Sequence, residues 1–225
     1  MLVDLKTSLQ NSQLLNFINE AEVKWQVCEN QYYIWLLMND TVQSIMNKAE
    51  PSQLTLPHQQ PLKGFVDELP DNANILEFGL GGASNARYFN QQKPCSQITV
   101  VEQSAAVIEL FKTYFNPQKS NINTIHQSAE HFILSDQKKY HLIITDLFKS
   151  GCSLLSFINA QYFIALKNRL TPNGFAYINF IPDTPAEAEL IKTYIQQTGL
   201  TIQWADKIIG FKNWVFLVKN TQPNN

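Results

Sequence analysis

Charge is scarce in this chain: Asp, Glu, Lys and Arg make up 16% of 225 residues, the net charge is −2 and the pI is near 6.1. Lysine and arginine never gather into a run, which excludes a basic nucleic-acid surface. Asparagine and glutamine fill many polar positions instead, so the surface is nearly neutral and steers charged substrates little. Cysteine is equally sparse. Cys28, Cys95 and Cys152 are odd in number, far apart and without a C-x-x-C pair. That excludes a disulfide framework and a cysteine zinc site, and fits a reducing compartment. The four histidines, His58, His126, His131 and His141, are too scattered to suggest a metal centre, and each reads as a surface or hydrogen-bonded structural residue. No apolar run approaches the ~20 residues that a membrane span needs. The first ten residues carry Asp4 and Lys6 among leucines, unlike a signal peptide. The expectation is a cytoplasmic protein with no metal, no nucleic-acid partner and no membrane partner. Internal repeats are absent, and the length suits one sizeable domain with an appendage.

What is present centres on residues 74–87. Ile75, Leu76 and Phe78 make a short apolar run of the kind a doubly covered parallel strand needs. Gly79, Gly81 and Gly82 follow, and then residues able to start a helix. A strand, a tight glycine turn and a helix N-terminus together form an anion and nucleotide site. A strict G-x-G-x-x-G would need glycine at Ser84, so the flanks carry the rest of the argument. Ile98, Val100 and Val101 form a second buried strand ending on Glu102, a little over twenty residues past Gly79. An acidic residue at that strand tip grips the hydroxyls of a ribose.

The remainder of the chain is organised around this unit. Residues 4–20 place Leu5, Leu9, Leu14, Leu15 and Ile18 at roughly helical spacing and predict an amphipathic helix. Residues 22–46 predict a three-stranded β-meander, and the proline-containing stretch 48–61 a linker. The expected division is therefore 1–61 for an N-terminal helix, meander and linker, and 62–225 for a Rossmann-like nucleoside-binding domain. From residue 62 onward helices and strands alternate, with a strand at 142–144 ending on Asp146, a helix over 157–170, a strand over 175–181 and a helix over 185–197. Two last strands, 201–208 and 211–219, are joined by a turn too short for a crossover and must pair antiparallel. The predicted fold class is α/β: a seven-stranded, mostly parallel sheet with a terminal antiparallel hairpin, the architecture of S-adenosylmethionine-dependent methyltransferases.

With these pieces in hand, the sequence resembles the spermidine synthase (aminopropyltransferase) family, and more closely its divergent spermidine-synthase-like branch within the class I methyltransferase superfamily. The likeness runs from about Trp35 to about Phe180. It rests on Ile75 to Gly82 with the trailing Arg87, on Val100-Val101-Glu102 and Val107 to Leu110 with Tyr114-Phe115, on Tyr140 to Asp146, and on Leu170 to Gly174. Asn39 to Ser44 is similar to the family's nucleoside-facing hairpin. The resemblance implies that Gly79, Gly81 and Gly82 line the ligand, that Glu102 binds its ribose and that Gln43 reaches the nucleoside. Ser128-Ala129 stands where the family has Asp-Ala against the adenine, and Asp146 matches the family's first acceptor-loop aspartate, the expected catalytic residue. Two family carboxylates are replaced: the one in the glycine loop by Gly82, and the base three residues after Asp146 by Lys149. The resemblance also implies a homodimer. Three readings stay open: a transferase using decarboxylated S-adenosylmethionine or a related adenosyl-thioether but not performing ordinary polyamine aminopropyl transfer; a methyltransferase using S-adenosylmethionine; and a catalytically silent binding protein of the same descent. Cys152 reads as an inert thiol in the loop after Asp146.

Overall fold

The computed structural model describes residues 3–148 and 154–221. The chain opens with four strands, β1 (Gln13–Glu20), β2 (Val23–Glu29), β3 (Tyr33–Met38) and β4 (Thr41–Asn47), paired in that order as an antiparallel sheet. The helix expected over residues 4–20 is therefore corrected: its second half is an edge strand paired along β2. The physical reason lies in the pairing. A β-bulge between Leu14 and Asn16 shifts the strand's phase by one residue. A period-2 pattern interrupted this way leaves Leu14, Leu15 and Ile18 at spacings that imitate a helix.

Residues 48–61 are likewise not all linker, because a 3₁₀ helix spans Pro57–Glu68. Beyond it the chain alternates β5 (Asn74–Phe78), α1 (Ser84–Gln92), β6 (Gln97–Glu102), α2 (Ala105–Leu110), β7 (Ile122–His126), α3 (Ala129–Ser135), β8 (Tyr140–Asp146), α4 (Ala160–Arg169), β9 (Leu170–Phe180), α5 (Pro185–Gln197), β10 (Thr201–Lys207) and β11 (Trp214–Lys219). A π-helical turn, Phe111–Phe115, continues α2. The strand expected over 175–181 begins at Leu170, with Asn173 in the left-handed region at φ 60°.

The seven strands lie in the order β10-β11-β9-β8-β5-β6-β7, parallel except for β11, which runs antiparallel to both neighbours. Successive residues of each central strand enter opposite faces. Ile75, Leu142, Ile144, Phe175 and Tyr177 join one apolar cluster, while Leu76, Ile143, Ala176 and Ile178 join the other. Double coverage is what a parallel sheet demands. Strand order reverses between β5 and β8, so a crevice opens at their carboxyl ends, the position where sheets of this kind bind ligands.

The first of these clusters also contains Val27, Ile34, Leu36 and Met46 from the N-terminal sheet. Polar ties reinforce the junction: Ser44 and Ser84 hydroxyls lie 3.1 Å apart, and Arg87 donates to Pro51 O at 2.8 Å and Phe115 O at 3.0 Å. Glu20, at the end of β1, accepts from Ser104 Oγ and from the Ala106 N–H at 3.2 Å, holding β1 against the start of α2. Among the described residues no helix is long and apolar enough to cross a membrane.

Leu36, fully buried where the two sheets meet, tests this shared core. Leu36→Ala should cost about 2–5 kcal/mol, the range for a truncated core leucine. Urea unfolding followed by both tryptophan fluorescence and circular dichroism should show one transition moved to lower urea. A loss under ~1 kcal/mol, or two separate transitions, would contradict a common core.

Candidate functional site

The crevice is built from the glycine turn outward. β5 ends at Phe78, and Gly79 turns with φ +92° directly against the end of β8. A Cβ there would sit 2.3 Å from the Asp146 carbonyl oxygen, so only glycine lets β8 pass this close. Its N–H donates to Val101 O at 3.0 Å, tying the turn to β6 as well. Gly81 continues with φ +47°, and the left-handed Ala83 leads into α1. At Gly82 a Cβ would meet Ser44 Oγ at 2.7 Å and Phe115 at 2.9 Å, so its bare side packs against β4 and the π-helical turn.

Glu102, at the tip of β6, turns back over this loop. Its Oε2 accepts the Leu80 N–H at 3.0 Å and its Oε1 the Ser104 N–H at 2.8 Å. Burial raises its carboxyl pKa, and these backbone donors offset part of the rise. Each oxygen keeps a second lone pair, so two neighbouring hydroxyls could still be accepted. On the next strand, Ser128 caps α3, its Oγ accepting the His131 N–H at 3.3 Å, and Ala129 is buried behind it. Gln43 sits on the bulge of β4, between the pairs Leu36↔Ser44 and Leu37↔Val42. Its carbonyl lies 3.9 Å from the Cβ position of Gly81, which puts the bulge against the glycine turn.

Asp146 closes β8 at the other side of Gly79. Its Oδ1 accepts from Asn179 Nδ2 at 2.7 Å, and its Oδ2 from Asn85 Nδ2 at 3.2 Å. His58 Nε2 stands 3.6 Å from Oδ2. Burial pushes this carboxyl up, but His58 and the two amides outweigh it and hold it below the usual carboxylate range. Asn179 is in turn fixed by Asn213, whose Nδ2 donates to its Oδ1 at 2.8 Å. Asn85 Nδ2 also donates to Glu77 Oε1 at 2.9 Å, so one amide nitrogen serves two carboxylates. Glu77 lies wholly inside, and burial together with the Asp146 charge raises its pKa to about 8. It is therefore neutral at pH 7, and the pair carries a single charge.

The structure thus brings Gln43, Gly79, Gly81, Glu102, Ser128 and Asp146 to one end of the sheet. Lys149 and Cys152 lie outside the described residues. Three residues that sequence reasoning missed surround Asp146: His58, Asn85 and Asn179. His58 carried no local signal, since its contact is eighty-eight positions away. Glu77 did carry one, because an ionisable residue within the apolar run Ile75 to Phe78 requires a buried polar partner. Among the described residues no three His, Cys, Asp or Glu side chains gather where they could hold a metal ion.

No family model matches the chain. In fold it stands with the Rossmann-like methyltransferases. A probable spermidine synthase from Corynebacterium glutamicum superposes with a TM-score of 0.79 at 16% identity, covering 95% of this chain and 82% of that one. Human methyltransferase-like protein 13 in complex with SAH gives 0.63 at 18%, covering 74% and 82%. Within this class the sequence is similar to the polyamine aminopropyltransferases. That of Neisseria meningitidis serogroup A is 30% identical over 151 residues, which cover 64% of this chain and 56% of that protein. The chain thus spans little more than half the length of the curated relative it matches.

Glu77→Gln tests the buried carboxylate pair. Folded Glu77 keeps its proton up to about pH 8, whereas in the unfolded chain it releases it near 4.5. Stability from this group is complete below the unfolded value and is lost as pH rises towards 8. Glutamine keeps the shape and cannot ionise, so the variant should lose that slope and be more stable than wild type at pH 8.5. Urea denaturation of both proteins at pH 5, 7 and 8.5 measures it. Parallel pH profiles would contradict a neutral Glu77.

Proposed function

We propose that the chain is a spermidine-synthase-like transferase that binds decarboxylated S-adenosylmethionine or a related adenosyl-thioether at the carboxyl ends of β5 to β8. The observation that carries this is Glu102, anchored by two backbone amides beside a glycine turn that only glycine can make. Glu102 would accept the ribose hydroxyls, the bulge at Gln43 and the turn at Gly79 and Gly81 would flank the nucleoside, and Ser128-Ala129 would meet the base. Ser128 Oγ already spends one lone pair on its helix cap, leaving one for an adenine amino group. Asp146 would face the reacting arm.

Ordinary polyamine transfer does not follow. A protonated diamine needs carboxylates to lower the cost of binding it and to take its proton. Of the carboxylates here, Glu77 is neutral and enclosed, and Glu102 belongs to the nucleoside end. Of these three described carboxylates, Asp146 is the one left to face a cation. Position 82 does not admit an aspartate without displacing Ser44 and Phe115. That same closure favours a second reading, a methyltransferase using S-adenosylmethionine: with no carboxylate at position 82, a bare aminopropyl ammonium has no partner there. No metal is invoked, and solution as a homodimer is part of the proposal.

Calorimetric titration with methylthioadenosine and S-adenosylhomocysteine tests the nucleoside site. Wild type should bind at least one, and Glu102→Ala should bind it ten- to a hundredfold more weakly, the loss expected when hydrogen bonds to a charged group disappear. Equal affinities would overturn the assignment of Glu102. With decarboxylated S-adenosylmethionine and putrescine, wild type should release no methylthioadenosine above background. Robust release would show that ordinary transfer proceeds without those carboxylates.

A further inference from the structure

We propose that His58 is the proton acceptor for the attacking nucleophile, with Asp146 fixing its ring. This rests on the adenosyl-sulfonium reading above and adds a base to the acceptor side.

Asp146 is fixed from one side by amides. Its Oδ1 is held by Asn179 at 2.7 Å, and Asn179 by Asn213 at 2.8 Å, so amides from β9 and the loop before β11 fix the carboxylate plane. Amides do not ionise near neutral pH, so this chain orients the charge without relaying a proton. The remaining oxygen, Oδ2, faces Asn85 and His58 Nε2. In the neutral ring, a carboxylate facing one nitrogen selects the tautomer with the proton there and leaves the other nitrogen as a bare acceptor. His58 Nδ1 makes no hydrogen bond among the described residues. The backbone beneath is fixed as well, since Tyr177 donates its hydroxyl to the His58 carbonyl. The imidazole is 15% exposed, enough to reach a bound molecule. The 3.6 Å separation exceeds a hydrogen bond, and catalytic pairs of this kind tighten on binding substrate.

Among the described residues, the other titratable groups around Asp146 do not compete for the role. Glu77 on β5 is enclosed and protonated, Arg87 on α1 is fully buried, and the Tyr177 phenol on β9 is occupied by the His58 carbonyl, burial raising its pKa far above neutrality. The step then balances. A lone pair of the acceptor attacks the carbon next to the sulfonium, and the carbon–sulfur bond breaks with its electron pair left on sulfur as a neutral thioether. The acceptor's proton moves to Nδ1. Positive charge thus passes from sulfur to an imidazolium already facing Asp146, so the crevice holds the same net charge before and after. A histidine base backed by one carboxylate suits a neutral or singly charged nucleophile, a monoamine, hydroxyl or thiol, in place of a diamine.

The test combines spectroscopy and turnover. Long-range ¹⁵N–¹H spectra of wild type should show His58 with its proton on Nε2, and Asp146→Ala should mix the two tautomers. A proton on Nδ1 in wild type, or the same spectrum in the variant, would overturn the pairing. Turnover is read as release of the thioether nucleoside from S-adenosylmethionine or its decarboxylated form with propylamine, ethanolamine or propanethiol. For any pair that reacts, His58→Ala should slow release on the order of a hundred- to ten-thousandfold, and added imidazole should restore part of it. Undiminished release, or loss without rescue, would remove His58 as the base; if no pair reacts, the tautomer result decides. His58→Ala should leave S-adenosylhomocysteine affinity unchanged. Absence of nucleoside binding in wild type would instead refute the proposed function, a result separable from the fate of the pair.

Discussion

The structure depends on one ionised carboxylate kept where little water reaches it. Asp146 is favourable in its charged form only because Asn85, Asn179 and His58 together replace the water it has lost. Those partners come from α1, β9 and the 3₁₀ helix, and Asn213 stands behind Asn179. Four separate parts of the chain must therefore arrive correctly before a single charge is tolerated. The Asp146 side chain keeps 20% exposure, so removing one of its hydrogen-bonding partners should cost about 1–3 kcal/mol, less than for a fully enclosed charge. The constraint is thus also a device of specificity, since misregistered packings would strand the carboxylate.

The same point in space sets the backbone. Asp146 O occupies the place of a Gly79 side chain, so the end of β8 and the turn after β5 are moulded together. Any ligand held by the glycine turn is necessarily adjacent to Asp146, and Glu102 fixes the turn from its other side through Leu80. In the proposed function, nucleoside end and reacting end would then be two flanks of one loop. Glu77 completes the arrangement from within: by staying neutral it spares the pair a second buried charge, at the expense of stability above pH 5.

Most of the sheet could be read from residues alone because its signals are local. Apolar runs bounded by glycine, an acidic strand tip and alternating helices give the order of elements, and a hairpin with a short turn can pair in only one way. Gly79, Glu102 and Asp146 were visible for the same reason, each standing at the end of an apolar strand. What failed was non-local. The bulge in β1 depends on its partner strand and disguised a strand as a helix. Pro57 and Gln60 looked like linker, yet the helix there is stabilised by Gln60 donating to Leu54 O and by packing of Leu62 and Phe65 in the core. His58 became meaningful only when the fold carried it to Asp146. Asn179 and Asn213 are ordinary amides in sequence and acquire a role solely through facing one another.

The central claim is that the turn after β5 and the tip of β6 form a nucleoside site. Backbone amide NMR with methylthioadenosine addresses it directly, because the residues that must respond are few. The account predicts that the amides of Gly79, Gly81, Gln103 and Ala129 shift together with one saturation curve, while those of β10 and β11 stay still. Saturating nucleoside that leaves the glycine turn unmoved, or that shifts another face of the sheet, would contradict it.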